Sequence, residues 1–350
     1  MVGYQVLRWA QRPVVSPAQQ PPVQIVVIPE GSSYQQVASL LKREHLIRSR
    51  AGFILLGKSK AADRKIHPGE YELNAAMSAE QILTKLLTGR VLLHPITIPE
   101  GFTMAQIGQL LGQLNITDMA EFLRLARDAE FIQSLDIQAA SLEGYLFPET
   151  YYFARETKAK DVIRALVDGV RRVWTPDLQA QAKRLNLTLH EVLTLASVVE
   201  KETGVQEERG LIAAVFHNRL RRRIPLQSDP TVIYGLPAFD GNLRKRDLSS
   251  PNPYNTYRIQ GLPPGPIASP GLHSIRAALF PTQASYLYFV SRNDGTHHFS
   301  SSLEEHNRAV ERFQKQPFRK QSRASIRAER AQRRGNAEIP FQVETSWSTS

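Results

Sequence analysis

The chain has 350 residues, a formal net charge of +11 at pH 7 and no cysteine. Its length allows two or three domains, and an apolar share of 42% with a charged share of 22% is that of a soluble globular protein. The absence of cysteine excludes a disulfide framework and a thiolate zinc site, and it fits an extracytoplasmic protein that avoids stray disulfides.

The first 22 residues predict a linker or a juxtamembrane stub. No apolar run in the sequence reaches the length of a membrane span, and residues 1–12 lack the hydrophobic core of a signal peptide. Tyr4 and Trp9 would suit a position at a membrane interface. Residues 11–22 are rich in proline, glutamine and serine, a composition typical of linkers.

A strand, a tight turn and a helix follow one another twice, at an offset of 70 residues. The first copy has an apolar strand at 23–28 and the second has one at 96–98, and each is followed by Pro-Glu-Gly. Proline fixes φ, and glycine allows the tight reversal. The sequence therefore predicts a duplicated small α/β unit. Its matching helical positions are Val37, Leu40 and Leu41 in the first copy and Ile107, Leu110 and Leu111 in the second.

Apolar periodicity predicts the remaining elements. Before the second copy these are a helix around 51–56, a strand at 70–73 and a helix at 79–87 that ends near Gly89. After it come an amphipathic helix at 119–135, an aromatic segment at 142–153, and helices at 160–174 and 176–185. Beyond residue 215 we expect loops rich in glycine and proline, short strands such as 286–290, and a helix near 302–315.

Residues 190–203 predict an apolar helix with two carboxylates, Glu200 and Glu202, near its end. Thr188 and Glu191 have the spacing of a capping box. Burial raises the pKa of a glutamate from about 4.3, and an acid that donates a proton at neutral pH needs a rise of roughly two units. The pattern alone does not choose between the two glutamates, and both could be solvated residues at a fraying helix end.

The end of the chain predicts a basic, disordered tail at 318–350. Between Arg319 and Arg334 seven basic residues stand against one glutamate, which is more than half of the net charge. Such a segment has too few large apolar residues to pack a core. It could bind anionic lipid or cell-wall polymer, whereas no recognition motif supports nucleic acid.

Four long motifs occur in one order along the chain: LEGYLFPETYYF at 142–153, ASVVEKET at 196–203, and the segments 207–235 and 254–265. Together they resemble the YceG-like family, whose members are endolytic murein transglycosylases of the MltG type. The resemblance covers about residues 23–315. Such enzymes need no cofactor, and we expect none here.

The resemblance implies an α+β fold, in which small LysM-like α/β modules precede a mixed α+β YceG-like catalytic domain with a lytic-transglycosylase-like helical core. The implied domains are a linker at 1–22, a LysM-like domain at 23–95, a catalytic domain at 96–317 and the tail at 318–350. LysM modules bind glycans that contain N-acetylglucosamine. The module could therefore hold a glycan strand, or it could be a structural cap.

The implied reaction cleaves the β-1,4 bond between N-acetylmuramic acid and N-acetylglucosamine. The C6 hydroxyl of the muramic residue attacks its own anomeric carbon, so the product ends in a 1,6-anhydro sugar. A single glutamate serves as acid and then as base. By alignment with the family this residue is Glu200, and Glu202 supports the cleft. The residues expected to bind substrate are Glu143, Tyr145, Glu149, Gln227, Asp229, Tyr254, Asn255, Thr256 and Tyr257.

The resemblance also implies a place and partners. Family members usually carry one N-terminal membrane helix and act on the extracytoplasmic face of the bacterial cytoplasmic membrane. We hypothesise that this span was lost from the sequence or lies upstream of a misassigned start. The implied partners are peptidoglycan glycan strands and possible cell-wall synthases, with a role in ending glycan strands and no nucleic acid.

Other functions predict different results. A conventional muramidase would use water, leave reducing ends and need a second carboxylate such as Asp229 or Glu149. A glycan-binding scaffold would tolerate Glu200→Gln. A nucleic-acid-binding protein would bind nucleic acid with a steep salt dependence, and truncation after Gln314 would abolish that dependence. No metal site is expected, because the spacing of His297, His298, Glu305 and His306 matches no zinc signature.

Overall fold

The computed structural model describes residues 2–60 and 66–316. Within those ranges the chain forms fourteen α-helices and six short strands, so the predicted α+β class is confirmed. The chain divides after Val173 into two compact units. The domain limits predicted at residues 22, 95 and 317 stay predictions. The predicted basic tail lies outside the described residues, as does the side chain of Tyr4.

The first unit opens with helix α1 and a module of two strands and two helices. The bounds are α1 (Val2–Gln11), β1 (Gln24–Ile28), α2 (Tyr34–Arg43), α3 (Arg50–Ser59) and β2 (Gly69–Leu73). The strands pair antiparallel with Val26 opposite Tyr71. Successive side chains of a strand point to opposite faces, so alternate residues of both strands reach one core with the apolar sides of the helices. Helix α4 (Ala79–Thr88) closes this core.

A second module in the same unit repeats this plan with an extra helix. Its elements are β3 (His94–Thr97), α5 (Met104–Gln113), α6 (Met119–Leu125), α7 (Ala129–Gln133) and β4 (Thr150–Phe153), before the long helix α8 (Ala159–Val173). Strands β3 and β4 pair antiparallel with Ile96 opposite Tyr151. The single helix predicted at 119–135 is wrong, because Asp128 accepts a hydrogen bond from the N–H of Phe131 and begins a new helix.

The two modules share details that their sequences only partly reveal. Gly31 and Gly101, which end the Pro-Glu-Gly turns, have φ of +75° and +74°. The hydroxyl of Tyr71 donates to the carbonyl of His67, and the hydroxyl of Tyr151 donates to that of Phe147, each four residues back. These common contacts support the predicted duplication. A LysM-like origin of the modules stays a prediction.

The second unit is mainly helical. It comprises α9 (Pro176–Arg184), α10 (Leu189–Glu202), α11 (Arg209–Arg221), α12 (Asp229–Gly235), α13 (Leu272–Leu279), β5 (Tyr288–Ser291), β6 (His297–Ser300) and α14 (Leu303–Val310), which continues as a π-helical turn to Lys315. Helix α10 packs against both α11 and α13. Beyond 215 the predicted helix near 302–315 is present as α14, but α12 and α13 were not predicted, since prolines within or beside these short segments mask a helical pattern.

The N-terminal segment is attached to the first module. Arg48 donates from Nε to the carbonyl oxygen of Pro13 at 2.7 Å and from Nη2 to that of Val14 at 3.1 Å. The N–H of Val15 donates to the carbonyl of Ala75 at 3.0 Å. Part of the predicted linker is therefore held in place. Among the described residues, none of the helices combines the length and apolarity that crossing a bilayer requires.

The left-handed conformation of Gly31 predicts that a residue with a Cβ is strained at this turn. A Cβ added at Gly31 meets no heavy atom within 4 Å, so Gly31→Ala adds only backbone strain. We expect the free energy of unfolding to fall by about 1–2 kcal/mol, measured by urea titration. Gly204→Ala is the control, because that position is equally open and has no positive φ. Equal stability of the two variants would contradict the strain argument.

Candidate active site

The candidate site lies at the end of helix α10. Thr188 and Glu191 form the predicted capping box, in which each side chain accepts from the other residue's backbone N–H. Eight consecutive residues, 192–199, are then buried, so the helix is enclosed on all sides. Since each helical residue advances by roughly 100°, Glu200 and Glu202 point in opposite directions. The two carboxylates therefore meet different surroundings.

Glu200 is held in a buried ion pair. Its Oε1 accepts a hydrogen bond from Nη2 of Arg209 at 3.0 Å, and its Oε2 accepts one from the N–H of Gly271 at 3.0 Å. The side chains of Glu200 and Arg209 are only 6% and 10% exposed. Gly271 is the N-cap of α13, so the carboxylate also faces the positive end of that helix. Glu200 thereby joins α10 to the N-terminal ends of α11 and α13.

Glu202 is a partly buried carboxyl with one side-chain hydrogen bond. The hydroxyl of Ser228 donates to its Oε1 at 2.5 Å. Burial raises the pKa of Glu202 most, the hydrogen bond from Ser228 lowers it, and the charge of Asp229 raises it by a smaller amount, so that the net pKa is about 7. A carboxyl with this pKa is present in both protonation states at neutral pH.

A second loop holds the Ser228–Asp229 turn against Glu202. Thr256 accepts from the N–H of Ser228 at Oγ1 and from the N–H of Gln227 at its carbonyl, both at 3.0 Å. The hydroxyl of Tyr257 donates to Oδ1 of Asp229 at 2.7 Å. Burial, followed by the contact with Asp229, raises the pKa of Tyr257. The predicted residues Glu202, Gln227, Asp229, Thr256 and Tyr257 therefore come together here.

The rest of this loop contributes shape. Asn255 is fully buried, and its amide donates to the carbonyls of Leu248 and Ser250. Tyr254 lies with its ring 4.8 Å from that of Tyr234. Asn255 thus stabilises the loop, and its side-chain donors are already used.

Three predicted site residues lie in the first unit. Glu143 is buried and accepts a hydrogen bond from the N–H of Met104, the first residue of α5, at 2.8 Å. Tyr145 is buried, which raises its pKa to about 12. Glu149 forms an ion pair with Arg172 at 2.5 Å. Their contacts are those of a helix cap, a core residue and an ion pair, and their binding role stays a prediction.

Sequence reasoning assigned no role to Ser228, Arg209 or Gly271. Ser228 stands beside two predicted residues, so adjacency was a usable signal for it. Arg209 and Gly271 carried none, because they lie nine and 71 positions beyond Glu200. Such contacts depend on the tertiary fold.

The histidines near the end of the chain have other partners. His297 lies with Nδ1 2.7 Å from the Glu208 carboxylate, and the ring of His306 stacks on Tyr288 at 5.1 Å. Within residues 2–60 and 66–316, no group of three or more potential ligands from histidine, cysteine, aspartate and glutamate is arranged to hold a metal ion.

The raised pKa of Glu202 predicts a pH dependence of stability. The unfolded carboxyl ionises near 4.5 and the folded one near 7, so stability is full below about 4.5 and falls as the pH rises to 7. Glu202→Gln removes the ionisable group and with it this contribution to the pH dependence of stability. Relative to that variant, we expect the wild type to lose about 3 kcal/mol of unfolding free energy between pH 4 and 8, measured by urea titration. If the unfolding free energies of the wild type and Glu202→Gln changed with pH in parallel, the raised pKa of Glu202 would be contradicted.

The buried ion pair predicts a different result for Glu200→Gln. This change removes the carboxylate that accepts from the buried Arg209 guanidinium, so we expect about 3 kcal/mol lower stability at neutral pH by urea titration. The control is Glu304→Gln, which removes an ion pair whose carboxylate side is 81% exposed and should change stability little. A wild-type stability for Glu200→Gln would show that the pair does not hold the helix end.

Comparisons with known proteins agree with the motifs in the sequence. The model of the YceG-like family matches residues 26–312. An endolytic murein transglycosylase of Bacillus subtilis strain 168 is 34% identical over 302 residues, which cover 82% of this chain and 83% of the relative. Another, from Streptococcus pneumoniae strain D39, is 34% identical over 318 residues, which cover 81% of this chain and 57% of the relative.

A solved structure is also similar. The 2.6 Å crystal structure of the yceG-like protein lmo1499 from Listeria monocytogenes gives a TM-score of 0.58 at 33% identity. The match covers 82% of this chain and 98% of that one. Because the family model spans most of the chain and curated relatives exceed 30% identity over most of its length, this protein belongs to the YceG-like family.

Proposed function

We propose that this protein is an endolytic peptidoglycan lytic transglycosylase. It cleaves the MurNAc-β-1,4-GlcNAc bond within glycan strands and leaves 1,6-anhydro-MurNAc ends. The observation that carries the proposal is Glu202, a carboxyl with a pKa of about 7 that is held by Ser228 beside Asp229. The curated relatives named endolytic murein transglycosylases support the substrate class.

In this proposal Glu202 acts twice. Protonated Glu202 gives its proton to the glycosidic oxygen as the bond to the anomeric carbon breaks. The carboxylate then takes the proton of the C6 hydroxyl as that oxygen bonds to the same carbon. The net change moves one proton between two sugar oxygens and consumes no water. A pKa near the working pH suits a group that both donates and accepts.

The contacts favour Glu202 over Glu200 as the acid. Both oxygens of Glu200 already accept from fixed donors, Arg209 and Gly271, so both are committed to contacts within the protein. Glu202 has one oxygen bound by Ser228, and Oε2 accepts from none of the described residues. The assignment of the acid to Glu200 by family alignment is untested, and we propose a structural role for that residue instead.

Asp229 keeps one alternative open. It is an exposed carboxylate next to Glu202, and a glycosidase that uses water needs two carboxyl groups. A muramidase would therefore use Glu202 as the acid and Asp229 as the base or nucleophile. The two reactions differ in their products, because only the muramidase leaves reducing ends.

The biological setting is part of the proposal. We place the activity at the extracytoplasmic face of the cytoplasmic membrane, on nascent strands whose elongation it ends, with cell-wall synthases as partners. The β1–β2 module is proposed as a LysM-like glycan-holding element. The relatives named endolytic murein transglycosylases support action on peptidoglycan. The membrane, the synthases, the ending of strands and the LysM-like role come from the resemblance of the sequence motifs to the family.

Mass spectrometry of the products from purified sacculi tests the proposal. We expect internal fragments with 1,6-anhydro ends from the wild type and a loss of at least about 100-fold in Glu202→Gln. Glu207→Gln is the matched control, since Glu207 is an exposed neighbour in sequence. Glu200→Gln should lose much less activity than Glu202→Gln at temperatures where circular dichroism shows it folded.

Other outcomes would redirect the assignment. Reducing ends that vanish in Asp229→Asn would favour the muramidase. An active Glu202→Gln beside a folded but inactive Glu200→Gln would return the acid to Glu200. Strand binding without cleavage by the wild type would favour a scaffold.

A further inference from the structure

Arg219 is a buried arginine close to the candidate site. It lies in the last turn of α11 and is 7% exposed. Its Nε donates to the carbonyl of Leu287 at 2.7 Å, and its guanidinium lies 5.1 Å from the ring centroid of Tyr288. Its Nη1 donates to the carbonyls of Pro225 and Leu226 at 2.9 and 3.1 Å and to Oε1 of Gln227 at 2.9 Å. One side chain thus joins β5 to the turn that follows α11.

This arrangement is unusual for a buried charge. Among the described residues Arg219 has no carboxylate within ion-pair distance, and burial lowers its pKa. Carbonyl oxygens satisfy the N–H groups but do not neutralise the positive charge. Stability alone would favour an apolar residue here. The function of Arg219 therefore lies in the conformation of the turn to which it donates.

The turn held by Arg219 is strained. Gln227 has a φ of +53°, in the left-handed region, which costs free energy for a residue with a Cβ. Arg219 binds its side-chain oxygen on one side, and Thr256 accepts from its backbone N–H on the other. The next residue is Ser228, whose hydroxyl reaches Glu202. The direction of the chain at Gln227 therefore decides where that hydroxyl points.

We propose that Arg219 is a positioning residue for the acid: by holding the turn at 225–227, it sets the Ser228 hydroxyl against Glu202. The proposal rests on the proposed function of Glu202. Arg219 acts through Ser228, and it has no assigned contact with substrate. Its five-donor fork serves the turn and β5 together, which the single ammonium of lysine cannot do.

The direction of the effect follows from the hydrogen bond. A donor to the carboxylate favours the ionised form, so the Ser228 bond holds the pKa of Glu202 below the value that burial and Asp229 would give. Loss of the bond raises the pKa. Because the protonated form starts the reaction, the alkaline limb of the pH–rate profile then moves to higher pH.

The experiment compares Arg219→Lys, Ser228→Ala and their double variant in glycan cleavage from pH 5 to 9. We expect Arg219→Lys to lower kcat about tenfold with little change in KM and to move the alkaline limb upward, as Ser228→Ala does. In the Ser228→Ala background, Arg219→Lys should add no further movement of the limb. Arg222→Lys, at an exposed neighbouring position, should match the wild type.

A second variant guards against a folding defect in Arg219→Lys. Gln227 is exposed, and asparagine tolerates a positive φ, so Gln227→Asn shortens the acceptor without disturbing the core. It should shift the alkaline limb in the same direction. Additive shifts in the double variant, or unshifted limbs in both Arg219→Lys and Gln227→Asn, would overturn the proposal.

Glu202→Gln is measured in parallel to keep the two proposals apart. If Glu202→Gln cleaves normally, the proposed acid is wrong and the role of Arg219 as its positioning residue falls with it. If Glu202→Gln is inactive while Arg219→Lys equals Arg222→Lys, only the positioning role is overturned.

Discussion

The ion pair between Glu200 and Arg209 is the constraint on which the candidate site depends. It is almost completely removed from water, and its carboxylate also binds the N–H that opens α13. Three helices are therefore fixed at one point. Since a helix turns by roughly 100° per residue, fixing Glu200 also fixes the direction of Glu202. A buried pair adds little net stability compared with apolar packing, so its value here is geometric.

The protonation of Glu202 is set mainly by burial, which outweighs the hydrogen bond from Ser228. Burial and the charge of Asp229 disfavour the carboxylate, while the hydroxyl of Ser228 favours it. The result is a pKa of about 7, where neither form is lost at neutral pH. The hydroxyl of Tyr257 donates to Oδ1 of Asp229 and so holds this second carboxyl group in place. The site thus combines an acid whose pKa is near neutrality with a second carboxyl group held beside it.

Local signals in the sequence predicted the strands and helices of the first module, whereas α1 and β4 of the same unit were not predicted. The offset of 70 residues between two Pro-Glu-Gly turns was enough to expect the duplicated module, because proline and glycine act on the backbone at their own positions. The capping box before α10 was equally visible, since its partners are three residues apart. The helix predicted at 119–135 failed because a second cap at Asp128 interrupts an unbroken apolar pattern.

The candidate site was predictable only in part. The motif located both glutamates, yet nothing local distinguishes them, because Glu200 meets Arg209 and Gly271 whereas Glu202 meets Ser228, 26 residues later. Arg219 showed the same limit. In the sequence it belongs to a run of basic residues that looks like a solvated face, and only the fold turns its guanidinium inward.

The left-handed turns of the molecule differ in the contacts that hold them. The Pro-Glu-Gly turns of the modules place glycine in the left-handed region, at Gly31 and Gly101, whereas His45 and Asn115 adopt it with a side chain. At Gln227 the same backbone region is occupied by a residue with a Cβ, and Arg219 and Thr256 hold it from two sides. A glycine there would relieve the strain but would remove the side chain that Arg219 grips. Gln227 keeps a strained backbone beside Glu202, whose pKa is near neutrality. Such strain is expected if the turn has to hold the Ser228 hydroxyl in the position that controls the protonation of Glu202.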